Sequence, residues 1–172
     1  LVILLAVAIL AVQVAFGGLG ALGAQPLFAA LAALSALPAL VLAGYIYYAD
    51  VTTAEPLTLL VGTFMLGLLF AGFAAILNTV LSGPIRTVGS VGGMVPFLGQ
   101  IALFFLIVGP VEESVKLLAV RLYAFRDDRF DAVIDGAVYG AMAGLGFATI
   151  ENALYIVQST EMVSGTLQAI NE

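Results

Sequence analysis

The sequence has 172 residues and contains no cysteine, no histidine and only five lysines and arginines. Without cysteine there is no disulfide and no thiolate metal site. Without histidine these residues offer no imidazole ligand or base. Charge of either sign is scarce. Charged residues make up 9% of the chain, against about 25% in an ordinary soluble domain. The net charge of −6 disfavours nucleic acid as a partner, and so few cations provide no polybasic patch for lipid headgroups.

What fills the chain instead is apolar. Hydrophobic residues reach 63% and the mean hydropathy is +1.18. The apolar runs are about 20 residues long and do not alternate with period two, so helices rather than barrel strands are the spanning element. The expected fold is all-α: a polytopic transmembrane helix bundle forming a single membrane domain over residues 1–172. Five spans are expected, at about 1–16, 27–49, 57–81, 97–125 and 132–158, which makes a multi-pass protein of the cell membrane. The chain begins at Leu1 and not at Met, and it reads as a fragment of a longer protein. Pro38 should kink the second span, and Tyr45, Tyr47 and Tyr48 look like an aromatic interface anchor. Residues 82–96 hold Gly83, Pro84, Gly89, Gly92, Gly93 and Pro96, and read as a long irregular loop outside the lipid. Residues 159–172 read as a loop or the lead into a further helix. Arg121, Arg126 and Arg129 gather at the turn between spans four and five, which sets that turn on the cytoplasmic side.

Against this background Glu112, Glu113 and Lys116 have no cheap place, since they lie inside the fourth span. Ionisable groups at such depth mark functional sites by default. Glu151, in the fifth span, is a fourth. Glu113 lies thirteen residues before Arg126, ~20 Å along a helix, and Glu151 lies sixteen residues after Asp135, ~24 Å from the same side. The two carboxylates therefore reach similar depth. Pro110 cannot donate to the carbonyl of Leu106 and should open the helix just ahead of the acids. Glu112 and Glu113 point about 100° apart, and Lys116 stands at i+4 and i+3 from them, so it can neutralise one while the other faces a cavity. On the fifth span Gly136, Gly140 and Gly144 form a G-x-x-x-G-x-x-x-G stripe, which suits close approach of another helix. Asn152 is placed to orient Glu151. Asp135 reads as a helix-end residue, and Asn78 reads as either a solvated helix-end residue or a contributor to the site.

Two or three carboxylates in a wet intramembrane pocket can bind a divalent metal or deprotonate a water. They can equally carry protons or ions in a transporter. The residue types leave both open.

The motifs resemble the PrsW family of intramembrane proteases, part of a wider group that includes the type II CAAX prenyl endopeptidases. The family's E-E-x-x-K is matched by Glu112, Glu113 and Lys116, and its F-x-x-x-E-N by Phe147, Glu151 and Asn152. The glycine-rich lead from Asp135 to Phe147 is also similar. The CAAX branch would show E-E-x-x-x-R and F-x-x-x-H, but position 117 is Leu and position 151 is Glu. The resemblance implies a multi-pass endopeptidase that cuts membrane-anchored proteins, such as an anti-sigma factor, on the extracytoplasmic side. It implies Glu113 as general base, Glu112 in support, and Glu151 as a ligand or transition-state stabiliser beside Asn152. It also implies a divalent metal, zinc by expectation, with Glu113 and Glu151 among its ligands. A further family motif supplies a histidine on a later helix. These residues contain none, which fits a sequence that stops short of it. Were Glu172 the true end, a non-catalytic scaffold would be expected instead.

Overall fold

The structure is a computed structural model, and it describes residues 26–49, 55–89 and 95–171. The expected first span at 1–16 lies outside the described residues. All regular structure among the described residues is helical. Helix α1 covers Pro26–Ala49, α2 covers Leu57–Gly89 and α3 covers Val95–Leu103. A π-helical turn follows at Phe104–Val108 and leads directly into α4, Gly109–Leu122. A 3-10 turn at Ala124–Arg126 closes the connection to α5, Val133–Asn171.

The all-α expectation holds among the described residues, and part of the expected set of spans is seen there. Among the described residues two helical stretches are long and apolar enough to cross a bilayer, Leu57–Gly83 and Val133–Ile156. Helix α1, Pro26–Ala49, is a further uncharged helix of 24 residues, of which Ala33–Ala49 counts as a shorter apolar stretch. The fourth expected span is helical over 95–122, but it is broken into three pieces and carries Glu112, Glu113 and Lys116. Two loop expectations are also corrected. Helix α2 continues through Gly83 and Pro84 to Gly89, and α5 runs through residues 159–171. Glycine and proline end helices where water can take over the freed backbone groups. They disfavour a helix interior without forbidding it, at about 1–3 kcal/mol each, which a long helix can offset.

Helices α2 and α5 start at the same end of the bundle and α4 runs against both. Tyr123, just past α4, donates to the Thr58 carbonyl at the start of α2 (3.4 Å). Glu112, at the start of α4, meets Asn78 about twenty residues further along α2. The core lies between these three helices. Leu60, Phe64, Phe70 and Ala74 of α2 pack with Val115 and Ala119 of α4 and with Tyr139, Met142, Ala143 and Phe147 of α5. Leu34, Leu37, Phe104, Phe105 and Leu106 are exposed, an apolar exterior suited to lipid.

Close approach between α2 and α5 depends on two glycines. A Cβ at Gly67 would enter the backbone carbonyl of Ala143, and one at Gly146 would enter that of Phe64. The stripe singled out from spacing behaves differently. A Cβ at Gly140 or Gly144 would meet nothing within 4 Å, and one at Gly136 would only touch Phe130 at 3.7 Å. The i, i+4 spacing shows that one face of α5 is small. It does not show what covers that face, and the helix contact uses the next glycine along.

Candidate active site

Pro110 has no N–H and its ring crowds the preceding turn. The backbone answers with the π-turn, where the Gly109 N–H reaches back five residues to the Phe104 carbonyl. Such π-turns recur at functional sites. The opening expected from the sequence therefore takes the form of one inserted residue directly above the glutamates, and α4 restarts with Pro110 in its first turn and Glu112 beside it.

The two glutamates face different surroundings, as their 100° separation requires. Glu112 is half-buried and turns toward α2, where Asn78 Nδ2 donates to its Oε1 over a long 3.4 Å. Glu113 is exposed, with 75% of its side chain accessible, and accepts from Lys116 Nζ at 2.8 Å. The ammonium also sits 4.5 Å from the centroid of the buried Phe147 ring, a cation–π contact that ties α4 to α5. Glu151 is half-buried, within electrostatic reach of Glu112 first, then of Lys116 and Glu113. The structure thus brings Glu112, Glu113, Lys116, Phe147 and Glu151 together from two helices. It adds Asn78 from a third.

Asn152 stands apart. It is exposed, and among the described residues it makes no hydrogen bond to Glu151. The amide that meets a carboxylate is Asn78, the less favoured of the two readings for that residue. Its Oδ1 is buried and without a partner among the described residues, an acceptor held ready for a donor. Asp135 lies at the opposite end of α5, where its Oδ2 accepts from the amides of Asp131 and Ala132 at 2.9 and 2.8 Å. That is the helix-end role expected of it.

A groove of about 610 Å³ runs along the seam of α4 and α5. Glu113 and Lys116 stand at one end, Arg121, Phe125 and Gly136 toward the other, with Gly140 and Gly144 along its floor. The glycine stripe therefore opens space beside the acids. At the turn beyond, Arg129 grips Asp127 with both Nε (2.7 Å) and Nη2 (2.9 Å). That grip pulls the Asp127 carboxyl down to about 2 and raises the guanidinium in return.

The expected metal ligands Glu113 and Glu151 lie on adjacent helices. Among the described residues, however, no three His, Cys, Asp or Glu side chains converge closely enough to hold an ion. A zinc site needs about four ligands, so these residues alone do not fit one.

Fold and site define an all-helical membrane protein with an acidic centre built across consecutive helices. The chain belongs to the PrsW family: the model of the PrsW family intramembrane metalloproteases matches residues 55–171. It is similar to Protease PrsW of Bacillus subtilis (strain 168), 34% identical over 118 residues, which cover 69% of this chain and 50% of that protein. Protease PrsW of Geobacillus kaustophilus is also 34% identical over 118 residues, 69% of this chain and 48% of that one. Protease PrsW of Shouchella clausii is 31% identical over 125 residues, 69% and 51%. The chain spans about half the length of these relatives. No solved structure matches it.

Proposed function

We propose that this chain carries the glutamate centre of an intramembrane endopeptidase that cuts membrane-anchored proteins. The observation that carries the reading is the meeting of Glu112, Glu113 and Lys116 of α4 with Glu151 and Phe147 of α5, beside a groove. A purely structural ion pair needs one glutamate for Lys116. Two further carboxylates at the same place call for chemistry.

Glu113 suits the general base. It lines the groove, and Lys116 holds only its Oε1, which leaves Oε2 to take a proton from a water. The water oxygen bonds to the scissile carbonyl carbon, and the C–N bond then breaks. The leaving nitrogen takes back the proton from Glu113. Lys116 has two further N–H groups and a charge placed to oppose the developing oxyanion. Asn78 fixes Glu112, and Glu151 closes the centre from α5. We assign the extracytoplasmic half of the membrane to this centre, on the expected orientation of the Arg126–Arg129 turn. A divalent metal, zinc by expectation, would take Glu151, with Glu113 as a ligand only in place of its base role, and would need further ligands beyond the described residues.

Co-reconstitution with a single-span substrate in liposomes tests the reading. Cleavage within or beside the substrate's apolar segment is expected, mapped by mass spectrometry. Absence of cleavage, together with a substrate-independent ion flux abolished by Glu151→Gln, would make the centre a transporter's. Asn78→Ala is expected to slow cleavage about tenfold, through the lost hydrogen bond to a charged acceptor. The protein should remain folded, as circular dichroism would show.

A further inference from the structure

A second acidic cluster sits at the other end of the bundle, where the entry to α2 meets the first turn of α5. Glu55, Asp135 and Tyr139 are 7%, 1% and 0% exposed. Tyr139 lies one turn beyond Asp135, so the two share a face of α5. The Tyr139 hydroxyl donates to Glu55 Oε2. Asp135 Oδ2 is satisfied by two backbone amides. Asp135 Oδ1 is buried and has no hydrogen-bond partner among the described residues. The Glu55 carboxyl, held by Tyr139 one turn along the same face of α5, is a neighbour of the Asp135 carboxylate. The Phe130 ring stacks on Tyr139 with centroids 5.7 Å apart and helps close the cluster from water.

Two ionised carboxylates are acceptors only, so in contact and away from water they repel and leave lone pairs facing each other. One proton between them removes one charge and supplies the missing donor. Among the described residues, the cation near the cluster does not substitute for it. Arg129 acts on Glu55 and Tyr139 from a distance, but its Nε and Nη2 are committed to Asp127 and its side chain is 55% exposed. Asp131 contributes its backbone amide. The groups that act on Tyr139 are Glu55, Asp135 and Arg129.

We propose that Glu55 and Asp135 form a proton-binding site, with one proton held between the two carboxyls and Tyr139 giving Glu55 a further hydrogen bond. The proton fastens the start of α2 to the start of α5. Folded, the chain holds a proton that ordinary carboxylates in the unfolded chain have released by neutral pH. The unfolded state therefore binds fewer protons, and stability falls as pH rises through the titration of the pair. Deprotonation sets two charges against each other at the helix junction, so the site reports alkalinity to the fold.

The test is the unfolding midpoint of the purified protein in detergent from pH 5 to pH 9, in choline chloride and in sodium chloride. The wild-type midpoint is expected to fall by about 3–8 °C across that range, equally in both salts. Glu55→Gln puts an amide N–H where the acid's O–H stood. It should keep the low-pH midpoint and flatten the profile, whereas Glu55→Ala should be low throughout. Infrared spectra should show a protonated carboxylic acid at neutral pH that Glu55→Gln removes. A Glu55→Gln profile with the wild-type slope, or no such infrared band, overturns the proposal. A midpoint raised by sodium at fixed pH also overturns it, in favour of a metal cation between the carboxylates. Should Glu55→Gln fail to fold, Asp135→Asn offers the same donor from the other side, and the wild-type infrared band stands alone as the test.

Discussion

Glu113→Gln is expected to lower the rate of substrate cleavage by about two to four orders of magnitude, the usual contribution of a positioned general base. Glutamine has the same shape and keeps an oxygen for Lys116 Nζ, so α4 has no reason to move. The side chain is exposed, and exposed substitutions usually shift stability by no more than about 0.5 kcal/mol. What disappears is the capacity to take a proton from water. Initial cleavage rates at matched protein levels, beside unfolding midpoints, separate these effects. A variant as fast as wild type would remove Glu113 from the base role and leave Glu112, on the Asn78 side, as the next to examine.

Gly146→Leu should abolish the folded protein rather than its chemistry. Any Cβ at this position drives into the Phe64 backbone carbonyl, and backbone cannot swing aside as a long side chain can. The neighbouring pair, Gly67 against Ala143, is equally tight, so α2 and α5 have no slack to share. Overpacking of a rigid contact costs about 1–3 kcal/mol and sometimes more, and here the obstacle is main chain on both sides. The expected outcome is loss of monodisperse protein on size exclusion, or an unfolding midpoint lowered by about 6 °C or more. Gly140→Ala and Gly144→Ala provide the contrast, because both positions open onto the groove. They should fold normally. Failure of Gly144→Ala to fold, with Gly146→Leu tolerated, would place the helix contact on the stripe after all.

The acidic centre was legible because charge in an apolar run has few innocent explanations. Glu112, Glu113, Lys116 and Glu151 stood out on that ground alone, and helical rise placed them at one depth. Asn78 was not settled in the same way, since a neutral amide near a helix end is as comfortable in water as in a site, and only the α2–α4 packing decides. The proline signal at Pro110 was sound in position, though the sequence could not say that the chain would answer with a π-turn. Pro84 misled, because proline disfavours a helix interior by about 3 kcal/mol without forbidding it, and α2 runs on through it to Gly89. The Gly136–Gly140–Gly144 stripe misled for another reason: spacing fixes which residues share a face, while the partner of that face is set by the whole bundle. Glu55 and Tyr139 carried no signal at all, since the contact between them spans 84 positions.

The claim on which the rest depends is that α4 and α5 build one catalytic centre. The most direct measurement is the rate of substrate cleavage by Glu112→Gln, Glu151→Gln and the variant carrying both. Residues that act as a unit lose their contributions together. One centre predicts that the doubly substituted protein is little slower than the slower single variant. Losses that multiply, with all three proteins folded and inserted, would contradict it and separate the two glutamates into independent roles.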